Sequence, residues 1–201
     1  MKLAICVPAR DTVHAGFAVC LANLAARLQK NLIDFEILFT LGSVIASQRN
    51  NLVIQALELG CSHILWLDSD MHFPASIIEK FLKHDKKIIA ATYSTRVKPL
   101  LSVAFVNKEN LRLRLTEKKG LHKVFAVGMG CMLVNMDVYK NIPAPWFNYE
   151  WSQELKDICG EDIWFCNQAH NYGFEIWVDC DASCTVAHYG TKAYVLGETV
   201  E

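Results

Sequence analysis

Apolar runs of strand length alternate with stretches of helical spacing along the first half of the chain. Lys2 to Val7 predicts a buried strand. Between His14 and Lys30, Phe17, Leu21, Leu24 and Leu28 recur at the three-and-four spacing of one helix face. Phe35 to Leu41 predicts a second strand, and Ser43 is placed to cap a helix that Gly60 stops. His63 to Leu67 predicts a third strand, which runs straight into Asp68-Ser69-Asp70. Pro74 suits the first turn of a helix reaching His84, and Lys87 to Thr92 predicts a fourth strand. Strands separated by helices predict an α/β domain with a mostly parallel central sheet flanked by helices.

The pattern changes after the fourth strand. Leu100 to Val106, Leu111 to Thr116 and Leu121 to Val127 are short apolar segments joined by polar turns, which predicts a small antiparallel meander. Met132 to Val134 predicts one further strand, followed by a short helix that ends before Pro143. Ala144 to Asp157 reads as a loop carrying Trp146, Phe147, Tyr149 and Trp151. Gly160 to Tyr172 predicts a helix stopped by Gly173; Phe174 to Val178 and Thr185 to His188 predict the last strands. There is no repeat, low-complexity tract or linker, so 1–201 reads as a single domain.

Composition narrows the class. Over 201 residues, 52% are hydrophobic and 20% charged, enough for a sizeable core and against general disorder. Twenty basic and 21 acidic side chains leave a net charge of −1, so no basic excess points to nucleic acid. No apolar run reaches the roughly 20 residues of a membrane-spanning helix. The first eight residues meet Pro8 and Arg10 too soon to read as an export signal. The eight cysteines lack a CxxC pair, and free thiols in a reducing cytoplasm are the expectation.

Asp68-Ser69-Asp70 is the first candidate for chemistry. It stands at the carboxyl end of a predicted parallel strand, the edge where open α/β sheets bind ligands. Two neighbouring carboxylates repel unless a proton or a cation lies between them. A hard divalent cation such as Mn²⁺ or Mg²⁺ suits their oxygens and can bridge to a diphosphate. The alternative is a plain turn in which Asp70 caps the next helix.

Leu65-Trp66-Leu67-Asp68-Ser69-Asp70 resembles the DxD signature of GT-A fold glycosyltransferases, in particular the family 2-like enzymes. Other segments resemble the same superfamily in the same order. They are Ile5 to Asp11 at the nucleotide turn, Ala46 to Asn51 at the "ARN" segment, and Gly128 to Leu133 at the glycine-rich strand entry. Gly160 to Cys166 resembles the acidic "ED" helix start, and Ala187 to Gly190 the late histidine. The resemblance runs from Leu3 to about Lys192 and implies a Rossmann-like GT-A domain with a nucleotide-binding half, 1–95, and an acceptor half, 96–201.

The resemblance also implies roles. Asp70 and His188, with Asp68 beside them, would hold Mn²⁺ or Mg²⁺. Pro8, Ala9, Arg10, Asp11, Arg49, Asn50, Asp68, Ser69, Gly128, Gly130 and Lys192 would bind the donor, a UDP- or GDP-sugar. Asp162, paired with Glu161, would be the general base toward an acceptor hydroxyl on a carbohydrate or glycoconjugate, with inversion favoured over retention. Each residue also has a plainer reading: Glu161 and Asp162 suit a helix N-terminus by charge alone, and the glycines suit a bulge. The four aromatics between 146 and 151 could form an acceptor platform, a lid or an oligomer contact. The rivals are a nucleotidyltransferase, against which the glycine-free turn after Val7 counts, and a non-catalytic nucleotide- or sugar-binding domain.

Overall fold

Strands that are apolar on both faces need helices on both sides, and the chain supplies them. In a computed structural model of the protein, which describes residues 1–96, 98–109, 111–114, 119–153 and 156–190, the first part runs β1 (Lys2–Ala9), α1 (Ala15–Lys30), β2 (Asp34–Leu41), α2 (Ile45–Glu58), β3 (His63–Leu67), β4 (Met71–His72), α3 (Ile77–Leu82) and β5 (Ile88–Ala90). The chain continues through β6 (Ala104–Phe105), β7 (Leu121–Val124), β8 (Ala126–Val127), β9 (Cys131–Asn135), α4 (Met136–Asn141), β10 (Glu150–Ser152) and β11 (Asp157–Cys159). It closes with α5 (Glu161–Asn171), β12 (Ile176–Asp179), α6 (Cys180–Ser183) and β13 (Ala187–His188).

Seven strands form the central sheet in the order β2-β1-β3-β9-β5-β12-β7. β2, β1, β3, β5 and β12 point one way, while β9 and β7 run against them. The sheet is thus mostly parallel, as the sequence pattern predicts, and it draws strands from both sides of residue 95.

Alternate side chains divide between two cores. Leu3, Ile5, Val7, Leu65, Leu67 and Leu133 pack under α1 and α3, with Phe17, Leu24, Leu28 and Phe81. Ala4, Cys6, Ile64, Trp66, Met132 and Val134 face α2, α4 and α5, with Leu52, Val53, Tyr139 and Phe165. The result is a three-layer helix–sheet–helix arrangement. Among the described residues, no helix is long and apolar enough to cross a membrane.

Several elements differ from expectation. Helix α2 starts after Val44 without a side-chain cap, so Ser43 does not serve as one. Helix α3 starts after Ser76, and Pro74 lies in the turn before it. The meander is reduced: β6 and β8 pair antiparallel, and Arg112 meets Phe105 only as an isolated bridge. Residues 115 and 116 of the expected second segment lie outside the described residues. Leu121 to Val127 is split, because β7 leaves to pair with β12 while β8 pairs with β6. The segment around Met132 is the central strand β9, between β3 and β5.

Trp66 is fully buried, and its indole Nε1 donates to Tyr139 Oη at 2.7 Å. Tyr139→Phe leaves that donor unpaired in the core. The expected cost is about 1–3 kcal/mol, read as a lower urea midpoint at unchanged slope.

Candidate functional site

The site begins where β1 and β3 end. Because β9 runs antiparallel to β3, with Cys131 opposite Leu67, the Gly128 to Gly130 segment enters at that same edge. The Asp68-Ser69-Asp70 turn is then held from three directions. Asp68 N–H donates to Gly130 O at 3.1 Å, His14 N–H donates to Ser69 O at 2.9 Å, and Tyr189 N–H donates to Asp70 O at 2.8 Å.

The short strands β4 and β13 pair antiparallel, placing His188 opposite Met71. His188 Nε2 consequently lies 3.3 Å from Asp70 Oδ1, and Arg96 Nη1 lies 3.0 Å from Asp70 Oδ2. Burial pushes the Asp70 carboxyl up, but its hydrogen bond to His188 and the charges of His188 and Arg96 outweigh that. The net effect holds it below the usual aspartate range.

A cleft of about 470 Å³ opens at this edge. It is lined by Pro8, Ala9 and Arg10 from the end of β1, by Asp68, Ser69 and Asp70, and by His188. These residues, scattered over 180 positions of sequence, share one wall. Asp11 is exposed and does not belong to it. Gln48 and Arg96 do, and sequence reasoning missed both. Gln48 Nε2 donates to Ala9 O at 3.0 Å and so fixes the end of β1. Arg96 follows the β5 end at the same edge, a position that the strand pattern makes visible afterwards.

Three consecutive residues of α2 have separate tasks. Gln48 holds β1. Arg49 is buried, 1% exposed, and donates from Nη2 to Asp68 Oδ1 at 2.8 Å and from Nε to Glu161 Oε1 at 3.3 Å. Its guanidinium lies over the rings of Trp66 and Phe147. Burial alone would lower its pKa, but Asp68 and Glu161 raise it on balance, so it stays charged. Arg49 is therefore an interior tie between the DxD turn and α5, and it does not line the cleft. Asn50 is consumed by backbone: its amide donates to Ala46 O and Phe147 O and accepts from Trp146 N and Phe147 N. With every polar atom engaged, it pins the aromatic loop and is not free for a donor.

Glu161 is a counter-ion to Arg49. Asp162, next to it at the N-terminus of α5, is pushed up to about 6 by burial and by the charge of Glu161, against a hydrogen bond from Ile163 N and the charge of Arg49. Gly128 and Gly130 answer a different need from the one expected. A Cβ at either would lie within 2.8 Å of Tyr93 Oη, and Gly130 N–H donates to that oxygen at 3.0 Å. Their close approach is to Tyr93, and neither lines the cleft. Trp146 and Phe147 are core residues and form no platform; Tyr149 and Trp151 are exposed. Lys192 lies outside the described residues.

Among the described residues no group of three His, Cys, Asp or Glu side chains could hold a metal ion alone. Asp68 lines the cleft but commits Oδ1 to Arg49, while Asp70 and His188 meet each other there. One carboxylate and one imidazole fit a Mn²⁺ or Mg²⁺ that takes its other ligands from a diphosphate and water.

This fold is GT-A-like. The protein A197 from STIV superposes on 98% of this chain and 99% of its own, with a TM-score of 0.60 and 14% identity. A Drosophila β-1,4-galactosyltransferase 7, crystallised with manganese, UDP-Gal and xylobiose, covers 94% of this chain and 71% of its own at a TM-score of 0.57 and 14% identity. Likeness at that identity is likeness of fold. The family described as Anp1 matches residues 34–102, the stretch that holds Arg49, Asp68 and Asp70. Among curated proteins none matches the sequence.

His188 owes its place to its neighbour. The Tyr189 ring stacks on His14 with centroids 3.9 Å apart, and its Oη lies 3.2 Å from His72 Nδ1. A Cβ on Gly16 would fall 2.4 Å from that Oη. Glycine to alanine near a helix start ordinarily stabilises by up to about 1 kcal/mol. Gly16→Ala is expected to do the opposite, lowering the Tm by at least about 2 °C because Tyr189 must move. A raised Tm in calorimetry would show that Tyr189 does not pack there.

Proposed function

We propose that the protein is a glycosyltransferase that moves a sugar from a UDP- or GDP-sugar to an acceptor hydroxyl, with Mn²⁺ or Mg²⁺. The observation that carries this reading is the meeting of Asp70 and His188 in one cleft with Pro8, Ala9 and Arg10. The GT-A-like fold supports it, as does the partial match to Anp1, a glycosyltransferase family. Residues 1–95 would supply most of the donor site, and 96–201 the base and the acceptor site. Buried free thiols support a reducing, cytoplasmic setting.

In this reading Pro8, Ala9 and Asp68 face the nucleoside, while Arg10, Ser69 and Arg96 face the diphosphate. Asp70 and His188 would hold the divalent cation, which would supply charge neutralisation for the leaving diphosphate. Arg96 keeps Asp70 ionised and oriented, and the His188 Nε2 that meets Asp70 would give up its proton to hold the cation. The acceptor oxygen attacks the anomeric carbon, the bond from that carbon to the diphosphate oxygen breaks, and the acceptor proton passes to Asp162. That division of labour favours inversion. A carboxylate near 6 is a suitable base at neutral pH, being mostly ionised yet far more basic than an ordinary aspartate.

Two variants test the reading. Asp70→Asn is expected to reduce Mn²⁺-dependent turnover of UDP- or GDP-sugars by about 100-fold or more; unchanged turnover would remove Asp70 from the site. Asp162→Asn is expected to abolish transfer and also to stabilise the fold at neutral pH. The sign follows from linkage. The folded value, about 6, lies above the unfolded value near 3.9, so stability falls as pH rises between them and the penalty persists above. Removing the charge should recover on the order of 1–3 kcal/mol at pH 7 and little below pH 4. A wild-type kcat/KM that falls with acid below about pH 6, beside denaturation curves of both proteins, checks both parts.

A further inference from the structure

A second and larger cleft, about 840 Å³, runs along α5 on the side away from the central sheet, walled opposite by Phe105, Phe125 and the β10–β11 hairpin. It starts at Gly160 and Ile163, which flank Asp162 in the chain although Asp162 itself does not line the groove, and reaches Asn171. At 1.5 Å per residue that is about 16 Å of helix, longer than a single sugar ring.

The helix face that lines it carries Trp164, Asn167, Gln168 and Asn171. Their spacing of three, four and seven residues puts them on one stripe. Among the described residues the three side-chain amides have no partner, and the Trp164 Nε1 donor is buried without one. Folding would normally pair such a donor or expose it. The charges around the stripe are mixed or occupied. Glu150 and Asp157 share the lining with Lys108 and Arg112, whose cations lie over Phe125 and Phe105.

A row of unpaired amides, an indole and no net sign of charge matches a ligand that is neutral, rich in hydroxyls and apolar on its ring faces. Amides bond to neighbouring hydroxyls as donor and acceptor together, and the indole offers a flat face. We infer that this groove binds the acceptor as a linear neutral oligosaccharide, with its reactive end at the Gly160 end, beside the start of α5, and its remaining units along Trp164, Gln168 and Asn171. The inference rests on the glycosyltransferase reading for the word acceptor, and on the groove alone for the class of ligand.

The test uses the full chain and calorimetric titration with neutral oligosaccharides of increasing length from the xylan, cellulose, mannan, chitin and starch series. One series is expected to bind, more tightly as it lengthens. Gln168→Ala and Asn171→Ala, both remote from the core, should each weaken that binding roughly three- to tenfold, as should Trp164→Ala, which removes the ring face. All three should leave Mn²⁺-dependent donor hydrolysis at the wild-type rate. Absence of binding in every series, binding that the variants do not change, or binding of peptides or acidic glycans instead would overturn the inference. Donor hydrolysis missing from wild type while an oligosaccharide still binds would sink the transferase reading and leave the groove's ligand class standing.

Discussion

The site depends on one buried cation. Arg49 sits in the interior between two carboxylates, one from the turn after β3 and one from the first turn of α5. Removing one member of such a group leaves an uncompensated charge in the core, which is why buried ion pairs constrain geometry more than they add stability. Here the constraint is spatial. The guanidinium ties α2, β3 and α5 together, and it does so against the rings of Trp66 and Phe147. It fixes Asp68 at the cleft wall through Oδ1, and Asp70, two residues on, meets Arg96 and His188 there.

That arrangement gives three acidic groups three environments. Asp68 is paired with a buried arginine. Asp70 is hydrogen-bonded by His188 and faced by Arg96, which keeps it acidic and ionised. Asp162 is pressed into a poorly solvated place beside Glu161, and its affinity for a proton rises. The proposed roles, one carboxylate holding a ligand and one accepting a proton, need opposite shifts, and close neighbours supply them. The chain ends of the site are coupled as well. Tyr189, wedged against Gly16, holds β13 to β4, and β13 carries His188.

Much of the architecture could be read from periodicity. The alternation of apolar segments with helical spacing located β1, α1, β2, β3 and α5 to within a few residues, because strands buried on both faces leave long apolar runs. The Asp68-Ser69-Asp70 turn and the turn after β1 were visible for the same reason, since both stand where such a run stops. Short elements were less legible. Nothing in Leu121 to Val127 marks the point where one segment parts into two sheets, since that depends on β12 and β6 being available on either side. The glycines before β9 looked like room for a ligand and proved to be room for Tyr93, a residue 35 or more positions away whose approach no local pattern records.

The sequence by itself determined the class of fold, the edge of the sheet where chemistry would gather, and the residue types available there. These follow from which faces must be buried, and burial is written in the order of apolar and polar positions. Tertiary structure decided the partners. It made Arg49 an interior tie, spent Asn50 on the aromatic loop, sent Trp146 and Phe147 into the core and brought Arg96 to Asp70. Hydrogen bonds and ion pairs act over a few ångströms, and only the folded chain sets which groups come that close.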